Sequence, residues 1–366
     1  MAQILISKNT KFTKDMFGMG LGDGFSRVYA ATSTTPASRN TTTINTLDGT
    51  NFGLVRTHDT ECSWPNIEVA PGVYKFKPLD ELLLPHKCAG RKVILTVYGT
   101  PNFYVSRVQA GPYSSQGQNT APRDFIWLQN YVYAACKHFN DLGQPIDYVE
   151  FGNEPNWSTS AGLRFMDWAP TELYQGHKAC WNGAKAVSPD IKIISAAMTG
   201  LDQTTWTNPA DAPYTFFTSM MQAGDGAGDI TAKYVDAIGM HFYGSDAFVL
   251  NRIALSRKMA YDNGLGLLPI IDTETGCNST NITDEQVVLN RNIRIMLTPV
   301  AHGIPVNLYS LGNPVLKSPY SIAGHPTVLK GLSDLIGRIL THGIDRLEWF
   351  TDGHIEVTIN GLVEVY

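Results

Sequence analysis

The chain reads as an α/β protein, specifically a (β/α)8 barrel with a small terminal β-hairpin or sheet. Three observations predict it. Eight short runs rich in β-formers are bounded by Gly, Pro, Asn or Asp, and most of the intervals between them hold a helix-like segment. The runs are apolar on both faces, as buried parallel strands are. Their number is the number that closes such a sheet on itself.

The runs are MFGMGLG, FGLVRTHD, KVILTVYGT, IDYVEFGN, IKIISAAMTG, VDAIGMHFYG, LPIIDTETG and IPVNLYSLG, beginning near residues 16, 52, 92, 146, 191, 235, 268 and 304. An open doubly wound sheet would usually carry a phosphate-binding fingerprint after its first strand. Here the glycines at 18, 20, 22 and 24 simply alternate, which is not GxGxxG. Among the helices, WLQNYVYAACKHFNDLG puts Leu128, Tyr131, Val132, Ala135 and Phe139 on one face, with Gly143 placed to end it. PTELYQGHKACWNGAKAV is similar. So is TDEQVVLNRNIRIMLTPVAHG, with Thr283 as its expected cap and Glu285 and Gln286 in the first turn.

The last residues break the repeat, because LEWFTDGHIEVTINGLVEVY reads as strands joined by TDG and NG turns. With the N-terminal ILIS they predict a small sheet that flanks the barrel. The expected divisions are therefore an N-terminal strand or arm over 1–14, a catalytic barrel over 15–340 and a C-terminal hairpin over 341–366. ATSTTPASRNTTTINTLDGT reads as a long loop or lid.

Composition narrows the function classes. The 366 residues are 43% hydrophobic, 10% aromatic and 17% charged, which suits a globular protein with a sizeable core. A formal net charge of -5 and the lack of a like-charge run give no footprint for nucleic acid or an anionic membrane, and neither is expected as a partner. No apolar stretch approaches the roughly 18 residues of a membrane span. The start has only a short apolar stretch, Ile4–Ile6, instead of a signal core, so the expected location is the cytoplasm, or the chain is the mature form of an exported enzyme. Five cysteines, with neither a CxxC pair nor zinc-ligand spacing, read as mostly buried thiols, a single disulfide being the lesser alternative.

In a closed parallel barrel the interior is filled, so reactive side chains belong at the carboxyl ends of the strands. Glu154 ends the fourth run in YVEFGNEPNW, where Pro155 cannot continue a central strand; Glu274 has the matching place on the seventh run, in IIDTETG. The fourth and seventh strands stand across an eight-stranded barrel, and glycoside hydrolysis needs such a carboxyl pair. One protonates the leaving oxygen; the other attacks the sugar or activates water. Any single strand-end Glu is more often a solvated charge or half of an ion pair. The company of these two argues otherwise: Asn153 beside Glu154, Arg56 in LVRTHD, and His241 and Tyr243 alternating in GMHFYG so as to share one face. Glu150 and Asp272 read as supporting groups deeper in the strands. Trp64, Phe103, Tyr104, Tyr113, Trp157 and Trp206 are candidate walls for sugar rings.

At these residues the chain resembles clan A of the glycoside hydrolases, whose signature is an Asn-Glu pair ending the fourth strand and a second Glu ending the seventh; FGNEP and DTETG match it. More narrowly it is similar to glycoside hydrolase family 39, including the branch that cleaves exopolysaccharides, through SWPNIEVAPGVYKFKPLDELL and KVILTVYGTPNFYV, over roughly residues 15 to 340. The resemblance implies a retaining hydrolase acting on β-glycosidic bonds of an oligo- or polysaccharide, with Glu154 as acid/base and Glu274 as nucleophile. It implies that Asn153 contacts the sugar 2-hydroxyl, Arg56 supports Glu274, Tyr243 orients it and His241 lines the same wall. His58, Trp157 and Tyr309 complete the expected substrate contacts, Tyr309 standing where the clan usually has a Trp. The large β-sandwich of many family members is absent or reduced to the terminal hairpin. No cofactor or metal is expected. The competing readings are a non-catalytic carbohydrate-binding barrel, a transglycosidase with the same site, and a metal hydrolase using His58, Asp59 and His241.

Overall fold

The computed structural model describes residues 2–21, 47, 49–60, 62–112, 117–158, 162–201, 208–244, 246–277, 282, 284–309 and 325–366. Eight strands form one parallel sheet: β2 (Phe17–Gly20), β3 (Leu54–Arg56), β6 (Lys92–Val97), β7 (Tyr148–Phe151), β8 (Lys192–Ile194), β9 (Ile238–Met240), β10 (Ile270–Thr275) and β11 (Val306–Leu308). Each lies inside one of the eight runs. Their order is β8-β7-β6-β3-β2-β11-β10-β9, so the sheet is the predicted (β/α)8 barrel. The chain divides into two compact units, Met1–Arg56 with Phe242–Ile253 and Asp272–Tyr366, and Thr57–His241 with Ala254–Ile271.

In the first unit, β2 pairs β3 from Gly18↔Leu54 to Gly20↔Arg56 and pairs β11 from Phe17↔Val306 to Met19↔Leu308. Gly18 has to be glycine: a Cβ there would stand 2.3 Å from Asn307 Oδ1. β11 runs on beside β10, with Asp272↔Val306 and Thr275↔Leu308. The unit also holds an antiparallel sheet of order β1-β12-β13-β14, made of Ala2–Ile6, Arg346–Phe350, Ile355–Ile359 and Leu362–Val365. Its alternation is clean: Leu347, Trp349, Ile355, Val357 and Ile359 are buried, whereas Arg346, Glu348, Glu356 and Thr358 are not. Asn360 and Gly361, at φ 50° and 76°, make the two-residue turn that the NG dipeptide predicts.

In the second unit, β6, β7 and β8 pair in register, Ile94↔Tyr148 and Tyr148↔Lys192 opening the ladders. β8 meets β9 through parallel bridges at Ile194↔Ala237 and Met198↔Met240, which join the two end strands of the sheet order. Helices α1 (Lys77–Cys88), α2 (Phe125–Asp141), α3 (Pro170–Lys185) and α4 (Pro213–Gln222) cover these strands. All five residues of the predicted α2 face are buried, and Gly143, at φ 69°, follows the helix end. α2 and α3 approach closely at Gly183, where a Cβ would stand 2.5 Å from Gln129 O.

Three further long helices among the described residues are α5 (Val249–Asp262), α6 (Glu285–Ala301) and α7 (Pro326–His342). The cap of α6 is Asp284, whose carboxylate accepts from the N–H groups of Gln286 and Val287, not Thr283, which lies outside the described residues. The segment read as a lid also lies outside them, apart from Leu47, Gly49 and Thr50. All five cysteines are free thiols, four buried and Cys88 exposed. Among the described residues no helix is long and apolar enough to cross a membrane.

Candidate active site

In the first unit the expected nucleophile sits near the end of β10. Glu274 accepts a charge-assisted hydrogen bond from the Arg56 guanidinium at the end of β3 and another, 2.9 Å long, from the Tyr243 hydroxyl. Arg56 is 1% exposed and the Glu274 side chain 9%, so a buried cation faces a carboxylate that still reaches solvent. Burying that guanidinium is tolerable because Glu274 answers its charge, and the same proximity favours the ionised form of Glu274. Tyr309 packs edge-on against Tyr243, with ring centres 6.2 Å apart, and its N–H donates to Thr275 O. Arg56, Tyr243, Glu274 and Tyr309 are thus brought together.

Two buried polar residues, Asp272 and Arg252, fix this cluster from behind. Asp272 accepts from the Phe242 N–H at 3.2 Å, and Arg252 of α5 donates to the Phe242 carbonyl at 2.8 Å. The peptide groups just before Tyr243 are therefore gripped on both sides. Burial holds the Asp272 carboxyl well above the usual carboxylate range, against the opposing pull of the Phe242 N–H and Arg252. The available signal for Arg252 was an arginine within the apolar stripe of α5, beside Val249 and Ile253.

In the second unit β7 ends at Phe151 and the chain bends outward through two left-handed residues, Gly152 at φ 76° and Glu154 at φ 45°. This explains the NEP ending. The strand is broken by backbone geometry before Pro155, and a non-glycine residue is held where it costs about 1–2 kcal/mol. Asn153 bridges Ala197, the Glu154 N–H donates to Ala197 O at 3.1 Å, and the Trp157 N–H closes the turn onto Glu154 O at 3.0 Å. His241 Nδ1 lies 2.8 Å from Glu154 Oε1, with the ring fully buried and the Glu154 side chain 13% exposed. His241 and Tyr243, read from sequence as one wall, hydrogen-bond to Glu154 and to Glu274 respectively.

His58 is buried, with Nδ1 3.5 Å from Asp59 Oδ2 and its ring 4.8 Å from that of Tyr98. His58, Asp59 and His241 do not form a metal-ligand cluster among the described residues. Glu150 accepts from the Thr96 hydroxyl at 2.8 Å, a supporting contact within the barrel strands. Trp157 is half-buried. Asn153 also lines a pocket with Trp64, Tyr98, Phe151, Phe165 and Trp168.

Two of the proposed sugar walls are held in place by one buried carboxylate. Trp64 and Tyr104 are buried, and both donate to the buried Glu68, at 2.6 and 2.8 Å, which also accepts the Gly72 N–H at 2.8 Å. Phe103 packs edge-on against Tyr104. Tyr113 and Trp206 lie outside the described residues.

No family model and no curated protein matches the chain. Solved structures do share its fold. A monomeric beta-xylosidase from Caulobacter crescentus CB15 is 15% identical, with a TM-score of 0.65 over 99% of this chain and 76% of that one. A glucosidase from Croceicoccus marinus is 12% identical, with a TM-score of 0.64 over 98% and 77%. A family 39 glycoside hydrolase from the gut symbiont Bacteroides cellulosilyticus WH2 is 14% identical, with a TM-score of 0.57 over 97% and 71%. At these identities the likeness is one of fold, the (β/α)8 barrel.

Proposed function

We propose that this protein is a retaining glycoside hydrolase that cleaves β-glycosidic bonds in an oligo- or polysaccharide, with Glu154 as acid/base and Glu274 as nucleophile. The observation that carries the reading is the unlike company of the two strand-end carboxylates. Glu274 is bonded by a guanidinium and a phenol, partners that favour and orient an anion, whereas the partner of Glu154 is the imidazole of His241. Two carboxyl groups with divided roles are what the reaction needs. The enzymes named among the solved structures of this fold, a beta-xylosidase and a glucosidase, support the choice of glycosides as substrates.

In the first step Glu154 gives its proton to the leaving glycosidic oxygen while a Glu274 oxygen attacks the anomeric carbon; the carbon–oxygen bond to the leaving group breaks and an ester to Glu274 forms. The charge of Glu274 is then consumed and Glu154 is a carboxylate. In the second step Glu154 takes a proton from water, the water oxygen attacks the anomeric carbon, and Glu274 leaves as a carboxylate. The reading requires the two carboxyl groups to stand about 5–5.5 Å apart. Tyr243 keeps one Glu274 oxygen engaged, which leaves the other for attack as the sugar displaces part of the Arg56 contact.

The test is hydrolysis of aryl β-xylosides and β-glucosides by the native enzyme, Glu274→Ala and Glu154→Ala. Turnover by the native protein and a loss of roughly 1000-fold or more in Glu274→Ala are expected. Binding of glycans without turnover across the panel would instead make the chain a sugar-binding barrel.

A further inference from the structure

We infer that Asn156 is a positioning residue for Glu154, holding its backbone in the left-handed conformation that aims the carboxyl group at His241. This rests on the acid/base role proposed above for Glu154.

Glu154 at φ 45° persists only if its surroundings over-determine it. They do so through one strip of backbone, Ala196–Thr199, just beyond β8. Before the bend, the Glu154 N–H is tied to Ala197 O; after it, the fully buried Asn156 side chain takes hold of Thr199 on both sides. Asn156 Oδ1 accepts the Thr199 N–H at 3.1 Å, and Nδ2 donates to Thr199 O at 3.0 Å and to Asp211 O at 3.3 Å. Three of the amide's bonds go to backbone, so the geometry depends on Asn156 itself and not on the side chains opposite.

The same strip carries His241. The His241 N–H donates to Met198 O at 2.8 Å, and the Met198 N–H donates to Gly239 O at 3.3 Å. A closed circuit results: Glu154 through Asn156 to Thr199, next to Met198, then to the His241 backbone, and back through the imidazole to the Glu154 carboxyl group. Slack at Asn156 therefore changes where Glu154 points relative to His241.

A general acid matters most when the leaving group is poor. A 2,4-dinitrophenolate leaves unaided, whereas an alkoxide does not. The experiment compares kcat/KM, which reports the first chemical step, for 2,4-dinitrophenyl and methyl-umbelliferyl or alkyl β-xylosides in the native protein, Glu154→Gln, Asn156→Asp and Asn156→Ala. Asn156→Asp keeps the shape and the acceptor but loses both donations. Both Asn156 variants are expected to lose about 10- to 100-fold on the poor leaving groups and less than about threefold on the dinitrophenyl glycoside. Thr199→Ser, which leaves the backbone contacts in place, is expected to match the native enzyme.

Equal losses on both substrate classes, or none, in the Asn156 variants while Glu154→Gln stays selective would overturn the inference and leave the acid assignment standing. Equal losses in Glu154→Gln would remove the acid assignment itself. Should neither Asn156 variant fold, native-state hydrogen exchange decides: the amides of Thr199 and Glu154 are expected to exchange slowly and in one step, and fast exchange of the Thr199 amide would overturn the proposal.

Discussion

At the residue scale the two glutamates differ in what each neighbour is asked to do. The Tyr243 hydroxyl gives Glu274 a hydrogen bond to a charged acceptor, a contact worth about 1.5–3 kcal/mol. Tyr243→Phe is therefore expected to lower kcat by about 10- to 100-fold with the fold intact, checked by steady-state kinetics beside a melting curve. Arg56 is more deeply committed, because it is buried against Glu274. Arg56→Leu leaves no unpaired buried cation, but it removes the charge that favours the anionic form of Glu274, so activity is expected to fall further than stability. Glu274→Gln, by contrast, sets a neutral amide against the buried guanidinium in place of its counter-charge and is expected to lower stability, measured by urea denaturation. Arg56, His241 and Glu274 lie at or just past the ends of β3, β9 and β10, positions legible in sequence because parallel-strand ends are marked by Gly, Pro and Asn. Their pairing was not legible. Which glutamate receives His241 and which receives Tyr243 depends on side-chain reach, and an alternating pair on one strand does not carry that information. Asn156, two residues past Glu154, shows its role only through Thr199 and Asp211, 43 and 55 positions away.

At the element scale, helix α3 bears on the acid through a neutral histidine. His177 is fully buried between Leu173 O, 2.8 Å from its Nδ1, and the Ala196 N–H, 3.2 Å from its Nε2, and Ala196 begins the strip that holds Glu154. Burial lowers its pKa from 6.5 to about 4, with the Leu173 carbonyl opposing the shift. An unfolded chain takes up that proton below about pH 6.5 while the folded one refuses it until about pH 4, so stability is lost as pH falls through this window, by about 3 kcal/mol at its lower end. His86, lowered to about 3 by burial and by Arg91, acts in the same direction. Urea midpoints measured between pH 7 and 4 are expected to fall, with a shallower slope in His177→Gln. Between helices, Gly183→Ala would push a methyl group onto the Gln129 carbonyl of α2 and is expected to destabilise by about 1–3 kcal/mol. Most elements were legible because the strands are short, apolar and bounded by turn residues, and α2 shows an unbroken apolar face. The short β4–β5 hairpin, Glu68–Ala70 and Val73–Tyr74, was not, since two- and three-residue strands fixed by a buried Glu68 leave no periodicity to read.

At the scale of the whole molecule, the sheet order and the likeness to solved barrels agree with the eight-run reading. The terminal sheet was legible for a different reason, its strict alternation and the NG turn. A hydrolase that works through two carboxyl groups needs no metal, so dialysis against excess EDTA is expected to leave turnover unchanged; a loss restored by a divalent cation would favour metal-assisted hydrolysis. The most direct measurement is proton NMR of the first product formed from an aryl β-xyloside or other β-glycoside that the enzyme turns over. Release of the β-anomer, followed by slow mutarotation, is the result this mechanism predicts. Initial release of the α-anomer would mean that water, not Glu274, attacks the anomeric carbon, and would contradict it.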